Sequence, residues 1–162
     1  MTNLFTGPIP ASLSNLTLLR RLSLGHNMLS GYVPRTIGRL RALQKLGLYN
    51  NMLQANDWEG WEFITSLSNC NQLQQLAIYN NTAFTGHLPY SLVNLSTTLQ
   101  SLWLDNTGIW GSIPSGIGNL VGLEILGIFN TSISGEIPDS IGKLTNLTKL
   151  GLFNTSLSGQ IP

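Results

Sequence analysis

Leucine and isoleucine return along the chain at fixed spacing, and from Leu99 to Pro162 one 24-residue unit is written three times, opening at Leu99, Leu123 and Leu147. Within each unit apolar residues stand at the opening position and at offsets 3, 5 and 10, and a Gly and an Ile-Pro pair follow at offsets 12 and 14 to 15. The first complete unit shows the same order in Leu19, Leu22, Leu24, Asn27, Leu29, Gly31 and Val33-Pro34. Alternation around Leu22 and Leu24 predicts a short strand, with the leucines inward and Arg21, Ser23 and Gly25 outward. Such units cannot bury an apolar face alone, so each is buried by the next. Stacked strands then form a parallel sheet at about 4.8 Å per rung. The expected fold is an α/β repeat solenoid of about six units, whose function lies on a surface rather than in a pocket.

The chain divides as one domain: a partial repeat over 1–18, complete repeats over 19–42, 43–72, 73–98, 99–122 and 123–146, and a partial repeat over 147–162. The 43–72 unit is 30 residues long and replaces Gly-x-Ile-Pro with a segment from Gln54 to Leu67. Asp57 is placed to cap a short helix there, with Trp61, Ile64 and Leu67 at helical spacing. That helix either covers the core or forms an exposed docking loop. The 73–98 unit has 26 residues, with extra ones near Ala83-Phe84 and in Ser96-Thr97-Thr98, both after the strand. Starting and stopping in mid-repeat, the chain reads as a piece of a longer array. No leader pattern and no run of 18 apolar residues stands in it. Uncapped terminal units also predict self-association through the ends.

Charged residues make up only 9% of the 162, so amides, hydroxyls or attached groups must keep the surface soluble. The net charge of +1 hides an asymmetry. Arg20, Arg21, Arg35, Arg39, Arg41 and Lys45 stand in the first 50 residues without an acid, whereas the remainder sets Lys143 and Lys149 against seven acids. The basic end is either a solvated convex face or a contact for an acidic partner. No basic stripe runs along the repeats, which argues against nucleic acid. The single cysteine, Cys70, excludes an internal disulfide and sits where other units place a core leucine. His26 and His87 lack partners at metal-ligand spacing, and the acids are scattered over different faces. No phosphate loop, nucleophile elbow or zinc signature occurs, so neither an enzyme nor a cofactor nor a metal site is expected.

Three sets of residues carry the candidate surface chemistry. Offset 8 holds Asn27, Asn51 and Asn81 and then Thr107, Thr131 and Thr155, a structural ladder whose side chains bond the turn backbone. A hydroxyl array ordering water is the weaker alternative, since that offset points inward. Offset 6, facing outward on the concave sheet, reads Gly25, Tyr49, Tyr79, Asp105, Phe129 and Phe153, and offset 4 adds Trp103 among small residues. This stripe is either cross-strand stacking or a ligand contact surface. Acceptor sequons stand at Asn15, Asn80, Asn94, Asn130, Asn146 and Asn154, which are the glycosylation candidates.

The pattern L-x-x-L-x-L-x-x-N-x-L-x-G-x-I-P, seen in Leu19 to Pro34, resembles the plant-specific class of leucine-rich repeats over essentially the whole chain. Asn56-Asp57-Trp58, the run Trp61 to Leu67, Asn69-Cys70 and Asn94-Leu95-Ser96-Thr97 are similar to the ectodomains of plant pattern-recognition receptor kinases, the group that includes the rice bacterial-blight resistance receptor. The resemblance implies a right-handed superhelix, a peptide or protein ligand, a co-receptor ectodomain, defence signalling and a place on the extracellular face of the plasma membrane. It also implies a serine/threonine kinase elsewhere in the parent protein, with no catalysis in this piece. The alternatives are a kinase-less secreted repeat protein, such as an inhibitor of microbial wall-degrading enzymes, and a truncated intracellular product.

Overall fold

The computed structural model describes residues 3–162. In chain order it runs β1 (Thr6–Gly7), β2 (Arg21–Ser23), β3 (Met28–Tyr32), β4 (Lys45–Gly47), β5 (Met52–Gln54), α1 (Trp58–Leu67), β6 (Gln75–Ala77) and β7 (Thr85–His87). There follow β8 (Ser101–Trp103), β9 (Gly108–Gly111), β10 (Ile125–Gly127), β11 (Ser132–Glu136), β12 (Lys149–Gly151) and β13 (Ser156–Ser158). The even-numbered strands from β2 to β12 form one six-stranded parallel sheet, each paired with the strand one coil away. Register puts Leu22, Leu46, Leu76, Leu102, Leu126 and Leu150 in one row, so a leucine at offset 3 meets a leucine on each neighbouring rung. From Leu46 to Leu126 this row is buried to 1% exposure or less.

A second set of parallel strands, which the sequence pattern did not announce, forms where the chain turns away from the first sheet. It comes in two pieces, β1-β3-β5 and β7-β9-β11-β13. The gap between β5 and β7 is where α1 enters. Asp57 caps α1 by accepting the Gly60 backbone N–H at 2.8 Å, and Gly60, Trp61, Phe63, Ile64 and Leu67 are buried. Trp61 meets Phe84 edge to face at 5.1 Å and donates its indole N–H to the Thr85 carbonyl at 3.2 Å. The helix therefore covers core rather than hanging free as a loop. Elsewhere a proline opens each connecting turn of 3-10 helix: Pro10, Pro34, Pro89, Pro114 and Pro138 precede Ala11–Asn15, Arg35–Arg39, Tyr90–Asn94, Ser115–Asn119 and Asp139–Lys143. Proline suits that place because its fixed φ is already helical and the missing N–H has no partner to lose.

Cys70 is fully buried, its thiol donating to the Leu40 carbonyl at 3.3 Å. Burial pushes the Cys70 pKa up to about 11, so the side chain is an inert packing group. One position departs from the pattern: Leu150, which the register assigns to the core, is 46% exposed because no coil stacks on the outer side of β12 in this chain. Leu126, with a rung on either side, is 1% exposed. Leu126→Ala is therefore expected to cost about 2–5 kcal/mol by cavity formation, and Leu150→Ala distinctly less. Urea unfolding of the two variants measures the difference, and equal losses would contradict the row as drawn.

Candidate functional site

The outward side chains at offset 6 leave the chain one step beyond each strand of the six-stranded sheet. There the backbone stays tied from coil to coil, as in Leu48 N–H to the Ala77 carbonyl at 2.8 Å and Leu104 N–H to the Gly127 carbonyl at 2.9 Å. Rings on successive coils are thus brought to stacking distance. Tyr49 and Tyr79 lie parallel with centroids 4.7 Å apart and an interplanar angle of 5°, and Phe129 and Phe153 do so at 4.4 Å and 13°. His26 meets Tyr49 edge-on at 5.2 Å. Glycine makes room for the rings: a Cβ on Gly25 would stand 2.6 Å from Tyr49 Cε2, and one on Gly127 would stand 2.7 Å from Trp103 Cε3. Tyr49, Tyr79, Trp103 and Phe129 are half-buried and Phe153 is 63% exposed. Stacking and exposure therefore coexist on this face.

Asp105 interrupts the column between the two stacked pairs. Its side chain is 5% exposed, and its Oδ1 has no hydrogen-bond partner. Desolvation raises the Asp105 pKa above the ordinary carboxylate value. The Tyr79 phenol is also pushed up, first by burial and then by the nearby Tyr49 and Asp105. Trp103 shares with Asp105 Oδ1 the space above Gly127. Unlike the rings of the offset-6 column beside it, the Trp103 ring has no stacking partner and no hydrogen bond among the described residues.

Beside this column run two ladders. At offset 8, Asn27, Asn51 and Asn81 each donate to a carbonyl three residues back, at 3.0, 3.0 and 2.8 Å. Their Oδ1 atoms accept the Phe5, Leu29 and Leu53 N–H groups of the preceding coil. Thr107, Thr131 and Thr155 keep only the first kind of bond, to Leu104, Ile128 and Leu152 in their own coil. With hydroxyls engaged inward, they present no outward water-ordering array. A second column, at offset 7, also links coils: His26, Asn50, Asn80, Asn106, Asn130 and Asn154 all have φ between 50° and 57°. Amide bonds of 2.7 Å run from Asn80 to Asn50, Asn130 to Asn106 and Asn154 to Asn130. Asparagine is the side chain that best tolerates this left-handed backbone. The recurring Asn-Asn and Asn-Thr pairs are the signal that could have found it.

The sequons fall into two groups. Asn80, Asn130 and Asn154 stand in the offset-7 ladder, each amide nitrogen already spending one N–H on its neighbour. Asn15 and Asn94 are exposed at the ends of 3-10 turns, and Asn146 is exposed with its amide donating to the Val121 carbonyl at 3.0 Å. A broad groove of about 1550 Å³ lies elsewhere, beside α1, between Arg35, Arg39 and Arg41 on one side and Trp58 and Trp110 on the other. Arg35 pairs there with Glu62 at 3.7 Å, and His87 packs edge-on to Trp110 at 5.1 Å. Neither exposed tryptophan belongs to the aromatic column. Among the described residues no three His, Cys, Asp or Glu side chains gather as metal ligands.

A family model described as Leucine Rich Repeat matches residues 18–40, 98–120 and 122–144. The chain is 49% identical over 73 residues to "Receptor kinase-like protein Xa21" of Oryza sativa subsp. japonica, a match covering 45% of this chain and 7% of that protein. It is 48% identical over 77 residues to "LRR receptor-like serine/threonine-protein kinase EFR" of Arabidopsis thaliana, covering 47% and 7%. In three dimensions it superposes on "Plant peptide hormone receptor RGFR1 in complex with RGF2" with a TM-score of 0.88 and 37% identity, over 98% of this chain and 24% of that one. Three of the repeats thus match the leucine-rich-repeat model, the chain is similar to segments of plant receptor kinases, and it spans a small part of the length of those relatives.

The Asp105 geometry carries its own test. Between the unfolded carboxylate value of 3.8 and the raised folded value, the native state binds more protons than the unfolded state. Stability therefore falls as pH rises through that window, and the cost is complete once pH lies above the raised value. Asp105→Asn is expected to stabilise the chain at pH 7 by about 1 kcal/mol, the low end for relieving a buried charged group without a partner. The gain should shrink on acidification toward pH ~4. Urea midpoints of both proteins at the two pH values decide it, a destabilised variant at pH 7 being the contrary outcome.

Proposed function

We propose that this leucine-rich-repeat solenoid, similar to the ectodomains of plant receptor kinases, is a ligand-sensing segment of such an ectodomain, on the extracellular face of the plasma membrane. It reads a peptide or protein ligand with the concave, six-stranded face, and defence signalling with a co-receptor ectodomain as second partner belongs to the same reading. The observation that carries it is the part-exposed aromatic column of Tyr49, Tyr79, Phe129 and Phe153 with Trp103 beside it along the sheet, glycines making room for Tyr49, Trp103 and Phe129. Aromatic side chains that stay rigid and part-exposed make efficient anchors, because little freedom is lost when a partner covers them. The kinship with a peptide hormone receptor solved with its ligand supports the class of ligand.

Binding and folding should separate on this face. Peptides selected from a random phage-displayed library on the chain are expected to lose at least about 2 kcal/mol of affinity on Trp103→Ala or Phe129→Ala. Unfolding free energy should change by only about 0.2–1 kcal/mol, the worth of a cross-strand aromatic contact. Calorimetric titration with denaturation of each variant reads both, and unchanged affinity in both variants would move the contact off this face. The extracellular placement has a separate readout. Mass spectrometry of the chain secreted from plant cells should find glycans on Asn15, Asn94 and Asn146, whereas bare asparagine at all three would count against it.

A further inference from the structure

Among the outward residues of the six-stranded face, Asp105 alone has a charge buried to 5% exposure, with Oδ1 lacking any hydrogen-bond partner. Buried carboxylates are ordinarily paired or multiply hydrogen-bonded, because an ionised group without a partner costs several times more than a neutral one. Nothing on its own surface supplies the missing charge. The ion pair within 4 Å that the described residues form is Arg35 with Glu62, on the other side of the coil. In the neighbouring outward column at offset 4 the three central coils carry Ala77, Trp103 and Gly127, and in the next, at offset 2, Gln75, Ser101 and Ile125. The bases Lys45 and Lys149 stand two strands away on β4 and β12. The residues at the same offset on either side of Asp105 are aromatic, Tyr79 on the preceding coil and Phe129 on the following one, and Trp103 lies with Asp105 Oδ1 over Gly127.

A carboxylate set among aromatic faces suits a cation, which gains from both the charge and the ring quadrupoles. A neutral donor would leave the desolvated charge uncompensated. Trp103, unstacked and without a hydrogen bond, is the ring able to shift and admit a group to the space it shares with Oδ1. On the premise that the concave face is the ligand surface, we infer that Asp105 anchors a positively charged side chain of the ligand, a guanidinium or ammonium group held between its carboxylate and the Trp103 ring. The flanking stacked pairs then supply apolar contact on either side of that charge.

The probe is a blocked amino acid followed by NMR on isotope-labelled chain. N-acetyl-arginine amide and N-acetyl-lysine amide are expected to shift the Trp103 indole N–H, identified by its absence in Trp103→Phe, and the Asp105 carboxyl carbon. The uncharged isostere N-acetyl-citrulline amide should respond roughly tenfold more weakly. Asp105→Asn, which keeps the shape of the side chain, should reduce the arginine response to the citrulline level with the rest of the spectrum intact. Asp139→Asn, at an exposed turn, should leave it unchanged. An equal response to citrulline, an undiminished response in Asp105→Asn, or no response to either cation overturns the anchor. If library-selected peptides meanwhile remain sensitive to Trp103→Ala and Phe129→Ala, the contact face stands and the cation anchor alone falls. Peptides insensitive to both substitutions remove the face and the anchor together.

Discussion

Every feature of this protein depends on the backbone hydrogen bonding that ties each coil to the next at one strand spacing. No coil can bury its leucines alone, so the bonds and the apolar row form together. Residues 24 positions apart, or more where an insertion intervenes, therefore become physical neighbours about 4.8 Å apart. Any residue type that recurs at one offset becomes a stack. Leucines at offset 3 become the core row, asparagines at offset 7 an amide chain, and rings at offset 6 parallel pairs. The repeat thus turns a choice made along the sequence into a column across the surface, and a break in a column becomes a local event. Asp105, between Tyr79 and Phe129, is such a break.

How much of this was legible in the sequence follows from which forces act within one unit and which act between units. Leu22, Leu46 and their counterparts are fixed by alternation, and α1 by Asp57 and the helical spacing behind it. Both are local signals and both correspond to what the chain does. The outward placement of Tyr49, Trp103 and Phe129 was legible too, since it needs only the period of two along a strand. What the pattern left unread lies between coils. The left-handed asparagine column needs knowledge of the backbone at a turn, and the second strand set needs the distance between turns of adjacent coils. The surroundings of Asp105 are also set between coils, its Oδ1 and the Trp103 ring both lying over Gly127 of the following coil. Leu150 departs from the row for the same reason: its burial is decided by a neighbouring coil and not by its own unit.

The asparagine columns show how the solenoid changes its fastening along its length without losing register. Asn27, Asn51 and Asn81 reach across to the backbone of the preceding coil, and the threonines that follow cannot, being one polar atom short. The offset-7 amides, already linked from Asn80 to Asn50, link again from Asn106 to Asn154 without that cross-coil bond beside them, alongside an uninterrupted sheet. The loss of the offset-8 bond coincides with the coil that carries Trp103 and Asp105. The inner face accordingly changes character there, from the tyrosine pair to the phenylalanine pair.

Two surfaces compete for the role of contact site, and hydrogen-bond satisfaction distinguishes them. The groove beside α1 is larger, and much of its polar wall already has partners within the chain, although Arg39 and Arg41 form no ion pair among the described residues. Asp57 accepts the Gly60 N–H and the Tyr32 hydroxyl, Trp61 donates to the Thr85 carbonyl, Thr65 bonds Ser91, and Arg35 faces Glu62. Such walls describe a helix fitted onto a core, and the space left over is where the helix and the coils fail to meet. The six-stranded face is shallow, yet it holds the one buried acid of the chain, unpaired, among rings that are only half covered. A stability cost retained at an outward position has no purpose in folding, because asparagine at Asp105 would keep the packing without the charge. It acquires one when a partner brings the opposite charge, since the same desolvation that penalises the empty face strengthens the pair once it forms.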